Sequence, residues 1–139
     1  MKKVAVSACL LGRNCRYDAT NRYDSELMEE LKDEEVVPFC PEEAILGTPR
    51  ETIDIVEGRA IGNESGRDYT DALIKEAKEF LAKHPDIDMV YCKAKSPSCA
   101  LCSARVYDSR KRLISSDGRG IFIDTIVKSR PDITIIERK

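Results

Sequence analysis

Short apolar runs at residues 4–8, 35–39 and 87–93 each lead into a polar loop that carries a cysteine: Cys9, Cys40 and Cys99. Segments with helical periodicity lie between them, and a fourth run at residues 133–136 follows. Strands that alternate with helices need crossovers, and crossovers produce a parallel sheet covered on both faces. At 139 residues the chain is long enough for one core and too short for two. The expected architecture is a single three-layer, Rossmann-like α/β domain over residues 1–139 with a mostly parallel sheet. In such a sheet the carboxyl ends of the strands share one edge, where residues distant in sequence meet. Three thiols are expected to converge there.

The intervening segments read as follows. Asp24 or Ser25 caps a short helix with Leu27, Met28 and Leu31 on one side, and Pro41 stops the second strand after Cys40. Residues 51–62 alternate through Ile53 and Ile55 into a Glu57-Gly58 turn, which predicts a small inserted hairpin. Asp68 or Thr70 opens the clearest helix, whose stripe of Leu73, Ala77, Phe80 and Leu81 ends before Pro85. Val106-Tyr107 and Leu113-Ile114 form a further short pair, and residues 121–129 a helix despite their β-branched content.

Charge excludes some functions. With 23 basic and 25 acidic residues the net charge is −2, so no field for general nucleic-acid or membrane binding is expected. No apolar run approaches the ~20 residues of a membrane span. The amino-terminal apolar stretch contains Cys9 and runs into Cys15-Arg16-Tyr17-Asp18, so it reads as a first core strand and not as a signal peptide. A cytoplasmic protein is expected. There, six cysteines in a chain that is 42% hydrophobic serve metal binding or redox chemistry more readily than disulfides.

Three protein thiolates hold a metal or cluster and leave one coordination position open, which distinguishes a catalytic centre from a closed structural one. Any one of these cysteines taken singly reads as a small apolar core residue. Repetition at strand ends favours the metal. Cys15, Cys92 and Cys102 compete for ligand roles, and Cys99-Ala100-Leu101-Cys102 is a C-x-x-C that suits zinc, iron or a dithiol pair. A zinc- or cluster-stabilised binding module and a Cys99/Cys102 oxidoreductase therefore stay open. The lone histidine, His84, falls at a helix end, which argues against Ser-His-Asp and Cys-His catalysis.

Glu42 and Glu43 follow Cys40, and Ser96 and Ser98 precede Cys99. A carboxylate that removes a proton from water and a hydroxyl that orients it are what hydrolysis requires. Arg16 and Tyr17, with Arg50, suit a polar planar ligand through a fixed fork of donors and a stacking ring. Gly118-Arg119-Gly120 before a helix suggests an anion-binding amino terminus.

Ser7-Ala8-Cys9-Leu10-Leu11-Gly12, Cys15-Arg16-Tyr17-Asp18, Cys40-Pro41-Glu42, Thr48-Pro49-Arg50 and Ser96-Pro97-Ser98-Cys99 resemble, in order, the signatures of the thiouracil desulfidase family, long known as a domain of unknown function. The resemblance implies a [4Fe-4S] cluster on Cys9, Cys40 and Cys99, with the fourth iron free for the sulfur of a thiolated nucleobase. It implies a non-redox desulfuration in which Glu42 activates water, Ser96 positions it, and Arg16, Tyr17, Arg50 and Ser98 contact a small thiolated heterocycle. Ala19 and Ala100 stand where the family often has glycine, which bears on the shape of the substrate loops.

Overall fold

The computed structural model describes residues 2–139. Its elements in chain order are β1 (Lys3–Ser7), a 3₁₀ turn (Ala8–Leu11), α1 (Ser25–Glu30), β2 (Glu35–Phe39) and α2 (Pro41–Leu46). The hairpin β3 (Ile53–Val56) and β4 (Arg59–Gly62) comes next, then α3 (Thr70–Lys83), β5 (Met89–Lys93), β6 (Ala104–Tyr107), β7 (Leu113–Gly118), α4 (Ile121–Ser129) and β8 (Thr134–Arg138).

The main sheet has the order β2-β1-β5-β8, and all its pairs are parallel. Val4, Ala5 and Val6 are almost wholly buried, as a central parallel strand with two covered faces requires. Successive side chains alternate between those faces. Ala5, Val90 and Cys92 pack with Ala77, Phe122, Ile123 and Ile126 of α3 and α4, where Phe39 stacks on Phe122 at 5.3 Å between ring centroids. Val4, Val6 and Tyr91 pack with Leu10, Leu27 and Leu31 on the α1 side. Helices on both faces bear out the expected three layers. They also give Cys92 a role as a core residue.

Several details differ from the sequence expectation. The first strand ends at Ser7, because Ala8 to Leu11 coil into the 3₁₀ turn, which closes on Gly12 at φ 92°. A short helix, α2, was not expected: Pro41 starts it at a position whose N–H needs no partner, and Gly47 ends it by donating to Glu43 O at 2.8 Å. Asp24 is the cap of α1, accepting from Leu27 N at 3.0 Å. Strand β5 starts two residues later than expected, at Met89, and β8 runs on to Arg138.

The largest difference is the second sheet. The expected hairpin and the expected short pair join into four strands in the order β4-β3-β6-β7, through a parallel β3–β6 contact that aligns Ile55 with Val106. Ile55, Ala100 and Ala104 are buried together at this junction. No local pattern signals such a pairing, because its partners are far apart in the chain. This sheet supplies Ile53 and Asp54, and the residue before it Thr52, to the cavity that also receives the carboxyl ends of β1, β2 and β5. Among the described residues no helix is long and apolar enough to cross a membrane.

Candidate active site

The three strand-end loops put Cys9, Cys40 and Cys99 on the wall of one cavity of about 660 Å³. Cys9 sits in the 3₁₀ turn after β1, where its carbonyl accepts from Gly12 N at 3.2 Å and Arg22 N at 3.0 Å. Cys40 is the residue before α2, and its carbonyl accepts from Ala44 N at 3.0 Å. Cys99 lies in the turn after β5, where Ser96 Oγ accepts from its N–H at 3.0 Å. Cys9 and Cys99 are buried and Cys40 is half-buried.

The start of α4 holds the Cys99 turn. Gly120 N donates to Ala100 O at 2.8 Å, Ile121 N to Pro97 O at 3.0 Å and Ile123 N to Ser98 O at 3.1 Å. These donors would otherwise be free at a helix end. The anion-binding reading of Gly118-Arg119-Gly120 is thereby corrected, since the Gly120, Ile121 and Ile123 amides at the start of α4 are spent on the turn that presents Ser98 and Cys99. A Cβ on Gly120 would stand 2.6 Å from Cys99 N and closer still to the Ser98 carbonyl, so only glycine fits there.

The thiols are electrostatically coupled. A hydrogen bond with the Cys15 thiol lowers Cys9 below the usual thiol range, against burial and the charges of Cys99 and Cys40. Cys40 is raised by its own bond with Cys15 and by burial. Burial raises Cys99 well above that range, and Cys40 adds to the effect. For Cys15 the bond with Cys40 favours the thiolate, but the bond with Cys9 and burial prevail and push it up to about 11. Such a group resists ionising together unless a cationic centre takes the place of the protons, which is how soft metal centres load. A single zinc ion needs its thiolates about 2.3 Å from one point. Among the described residues no three His, Cys, Asp or Glu side chains close on a point in that way. By their chemistry, three soft thiol donors at the wall of one open cavity suit a soft, sulfur-ligated metal centre.

Glu42 projects from the first turn of α2. Its Oε2 accepts from Ser98 Oγ at 2.6 Å and from Ser96 Oγ at 3.4 Å. Ser98 is buried and holds the shorter bond, whereas Ser96 Oγ also accepts the N–H groups of Ser98 and Cys99 at 3.2 and 3.0 Å. Glu43 is taken up elsewhere, by Arg13 at 2.8 Å and Thr48 Oγ1 at 2.7 Å. Arg16 and Tyr17 line the cavity, with the Arg16 guanidinium 5.6 Å from the Tyr17 ring centroid and Tyr17 exposed. Arg50 is also at the wall, but its Nη2 donates to Cys15 O at 2.8 Å.

Cys15 lines the cavity and Cys102 does not. Cys102 is exposed, with its thiol 3.9 Å from Glu137 Oε1, and both it and Cys99 are free thiols. The C-x-x-C spacing therefore does not present two thiols to one substrate. His84 caps the end of α3 and packs on Phe80 at 5.0 Å between ring centroids, away from the cavity lining. Charged cavity residues that escaped the sequence reading include Lys93 and Arg22. Lys93 is the last residue of β5, so the strand-end argument applied to the cysteines would have found it. Its ammonium donates to Ala94 O at 3.0 Å, and burial lowers its pKa.

The profile of the 2-thiouracil desulfurase family matches residues 4–138. The chain belongs to that family. It is also similar to the solved structure of the [4Fe-4S]-dependent thiouracil desulfidase TudS, with a TM-score of 0.79 and 32% identity, covering 99% of this chain and 91% of that one. The uncharacterized protein YbbK of Bacillus subtilis (strain 168) is 32% identical over 110 residues, which are 69% of this chain and 72% of YbbK. The TudS structure thus shares this fold along nearly the whole length of the chain.

Proposed function

We propose that this chain is a [4Fe-4S]-dependent desulfidase that converts a thiolated heterocycle of the thiouracil class to its oxo form, with water as the second substrate. The net change is exchange of a C=S for a C=O, with water consumed and hydrogen sulfide released. No electrons enter or leave. The observation that carries the reading is the convergence of Cys9, Cys40 and Cys99 with the Ser98–Glu42 pair on one cavity. Family membership and the name of the TudS structure support the same chemistry.

Cys9, Cys40 and Cys99 would hold the cluster, which supplies an iron that takes the substrate's sulfur as a soft Lewis acid. The remaining work falls to the chain's own residues. Glu42 accepts a proton from the attacking water, so that the water's electron pair forms the new C–O bond as the C–S pair departs with sulfur. Ser98 fixes the Glu42 carboxylate by occupying Oε2. Ser96 orders the turn through the amides of Ser98 and Cys99 and adds a weaker contact to Oε2. Arg16 and Tyr17, at the cavity wall, receive the planar ring by stacking and donor contacts.

The test is anaerobic reconstitution followed by sulfide release from 2-thiouracil without an electron donor. Turnover with stoichiometric sulfide is expected. A Glu42→Gln protein with full iron content should react roughly 10²-fold more slowly, the scale of general-base assistance. Dependence of turnover on an external reductant, or zinc binding with no iron uptake, would replace this reading.

A further inference from the structure

Cys9, Cys15, Cys40 and Cys99 all line the cavity, and the desulfidase reading gives no task to Cys15. Its residue is 1% exposed, against 7% for Cys9 and 6% for Cys99, so it stands behind the thiols that face the open space. Its backbone is held on both sides. The Cys15 N–H donates to Arg13 O at 2.8 Å, and its carbonyl accepts from Arg50 Nη2 at 2.8 Å. Arg50 is itself buried and donates through Nη1 to Gly47 O at 3.1 Å and Thr48 Oγ1 at 3.0 Å. The guanidinium thus ties the loop after α2 to the Cys15 loop, in place of the substrate contact suggested by the sequence.

The Cys15 side chain packs in one buried group with Cys9, Leu10 and Leu27, and Cys40 lies against that group. Its thiol hydrogen-bonds with both neighbours, donating to Cys9 and accepting from Cys40, whose Sγ is also 3.6 Å from the Cys15 carbonyl. Cysteines that bind a metal do so as thiolates, so Cys9 and Cys40 give up their protons when the site is loaded. Cys15, with no metal on it, keeps the proton that a free thiol carries near neutral pH. One S–H is then left among the three, and the thiol to which it donates is Cys9.

We propose that Cys15 is not a fourth ligand but a positioning residue, whose S–H donates a hydrogen bond to the Cys9 thiolate in the cluster-loaded protein. The proposal rests on the desulfidase reading above and extends it to the group that tunes the centre. A hydrogen bond to a ligand sulfur draws electron density out of the metal–sulfur bond, and such bonds are among the means by which a protein sets a cluster's reduction potential. A centre poorer in electrons is the stronger Lewis acid toward a substrate's sulfur. Alanine at position 15 leaves the Cys9 thiolate without this donor beside Leu10 and Leu27, whereas serine keeps a hydroxyl donor there.

The experiment compares the parent with Cys15→Ser and Cys15→Ala, all reconstituted anaerobically. Iron content, the midpoint potential from an optical redox titration and the S–H stretching region of the infrared spectrum are measured on each, with sulfide release from 2-thiouracil by the parent alongside. Full iron is expected in all three. The potential of Cys15→Ala should fall by roughly tenfold in the one-electron equilibrium constant, about 59 mV, and Cys15→Ser should recover part of that shift. The loaded parent should show an S–H band moved to low frequency by its thiolate acceptor, and both variants should lack it. Iron lost from Cys15→Ala and Cys15→Ser alike would overturn the proposal, leaving Cys15 a ligand or a support of the fold. A fully loaded Cys15→Ala at the parent potential would overturn it too. So would a loaded parent with no shifted S–H band, a reading that stands even where Cys15→Ala does not fold. A parent that takes up no iron overturns the desulfidase reading and this inference together, whereas a loaded parent that releases no sulfide overturns the desulfidase reading alone, and the potentials and the infrared band still decide the place of Cys15.

Discussion

Ser98 Oγ donates to Glu42 Oε2 across 2.6 Å, joining the turn that carries Cys99 to the helix that begins behind Cys40. The bond links two of the three thiol loops through the group that would serve the water. Displacing either loop therefore moves both the thiol spacing and the carboxylate.

The two serines should separate in their effects. Ser98→Ala removes the short bond and lets the Glu42 carboxylate turn, so single-turnover sulfide release should fall by roughly 10-fold or more at unchanged iron content. Ser96→Ala instead leaves the N–H groups of Ser98 and Cys99 without their acceptor, at a cost of about 1–3 kcal/mol for each buried donor. Its mark should be faster iron loss to a chelator, measured beside the turnover rate. Equal turnover losses with no change in iron retention in either protein would contradict this division.

Gly120→Ala tests how strictly α4 fixes the Cys99 turn. The added methyl group meets the backbone of Ser98 and Cys99, where no flexible side chain can yield. Overpacking of this kind costs about 1–3 kcal/mol, and here the strain falls on a ligand turn. Lower thermal stability together with iron content well below the parent is expected. A fully loaded Gly120→Ala protein would show that the turn has slack.

Much of this architecture was legible in the chain. The residue pattern locates every strand of the main sheet, and residues 121–129 are helical despite their β-branched content, because Phe122, Ile123 and Ile126 fall on the buried face. The convergence of Cys9, Cys40 and Cys99 on one cavity followed from parallel-sheet geometry alone. Helix α2 was missed because six residues are too few to show periodicity, although Pro41 and Gly47 marked its ends. The β3–β6 pairing and the bonds from Arg50 to Cys15 O and Gly47 O involve backbone groups that leave no trace in residue identity. The ranking of Ser98 over Ser96 at Glu42 depends on the turn that α4 imposes, which neither serine reveals.

Single substitutions at the thiols should sort by position in the cavity. Cys9→Ala, Cys40→Ala and Cys99→Ala are expected to prevent stable assembly of the cluster, read as loss of iron, inorganic sulfide and visible absorbance after reconstitution. Cys102→Ser should load normally, because that thiol is exposed and lies outside the cavity lining. Full iron loading of any of the first three would remove that residue from the ligand set.

Acid stability should be sensitive to Glu51, which anchors the loop after the hairpin. Ser65 Oγ, the Ser65 and Glu64 amides and the Tyr69 hydroxyl all donate to its carboxylate, at 2.6 to 2.9 Å. Led by the Ser65 hydroxyl, these bonds lower its pKa from 4.5 to about 2. A depressed carboxylate stabilises the fold above its unfolded pKa, and that contribution is lost as pH falls through the folded value. The relevant window therefore runs downward from about pH 4.5 to about pH 2. Glu51→Gln should melt at a lower temperature than the parent at pH 6, and the gap should narrow as the pH is brought down through that window. Glutamine retains one acceptor oxygen, so the loop remains formed while the charge-assisted part of the bonding is absent. The check is thermal melting of both proteins at matched ionic strength across the window; a gap that stays constant from pH 6 to pH 2.5 would assign the difference to packing instead of to the charge on Glu51.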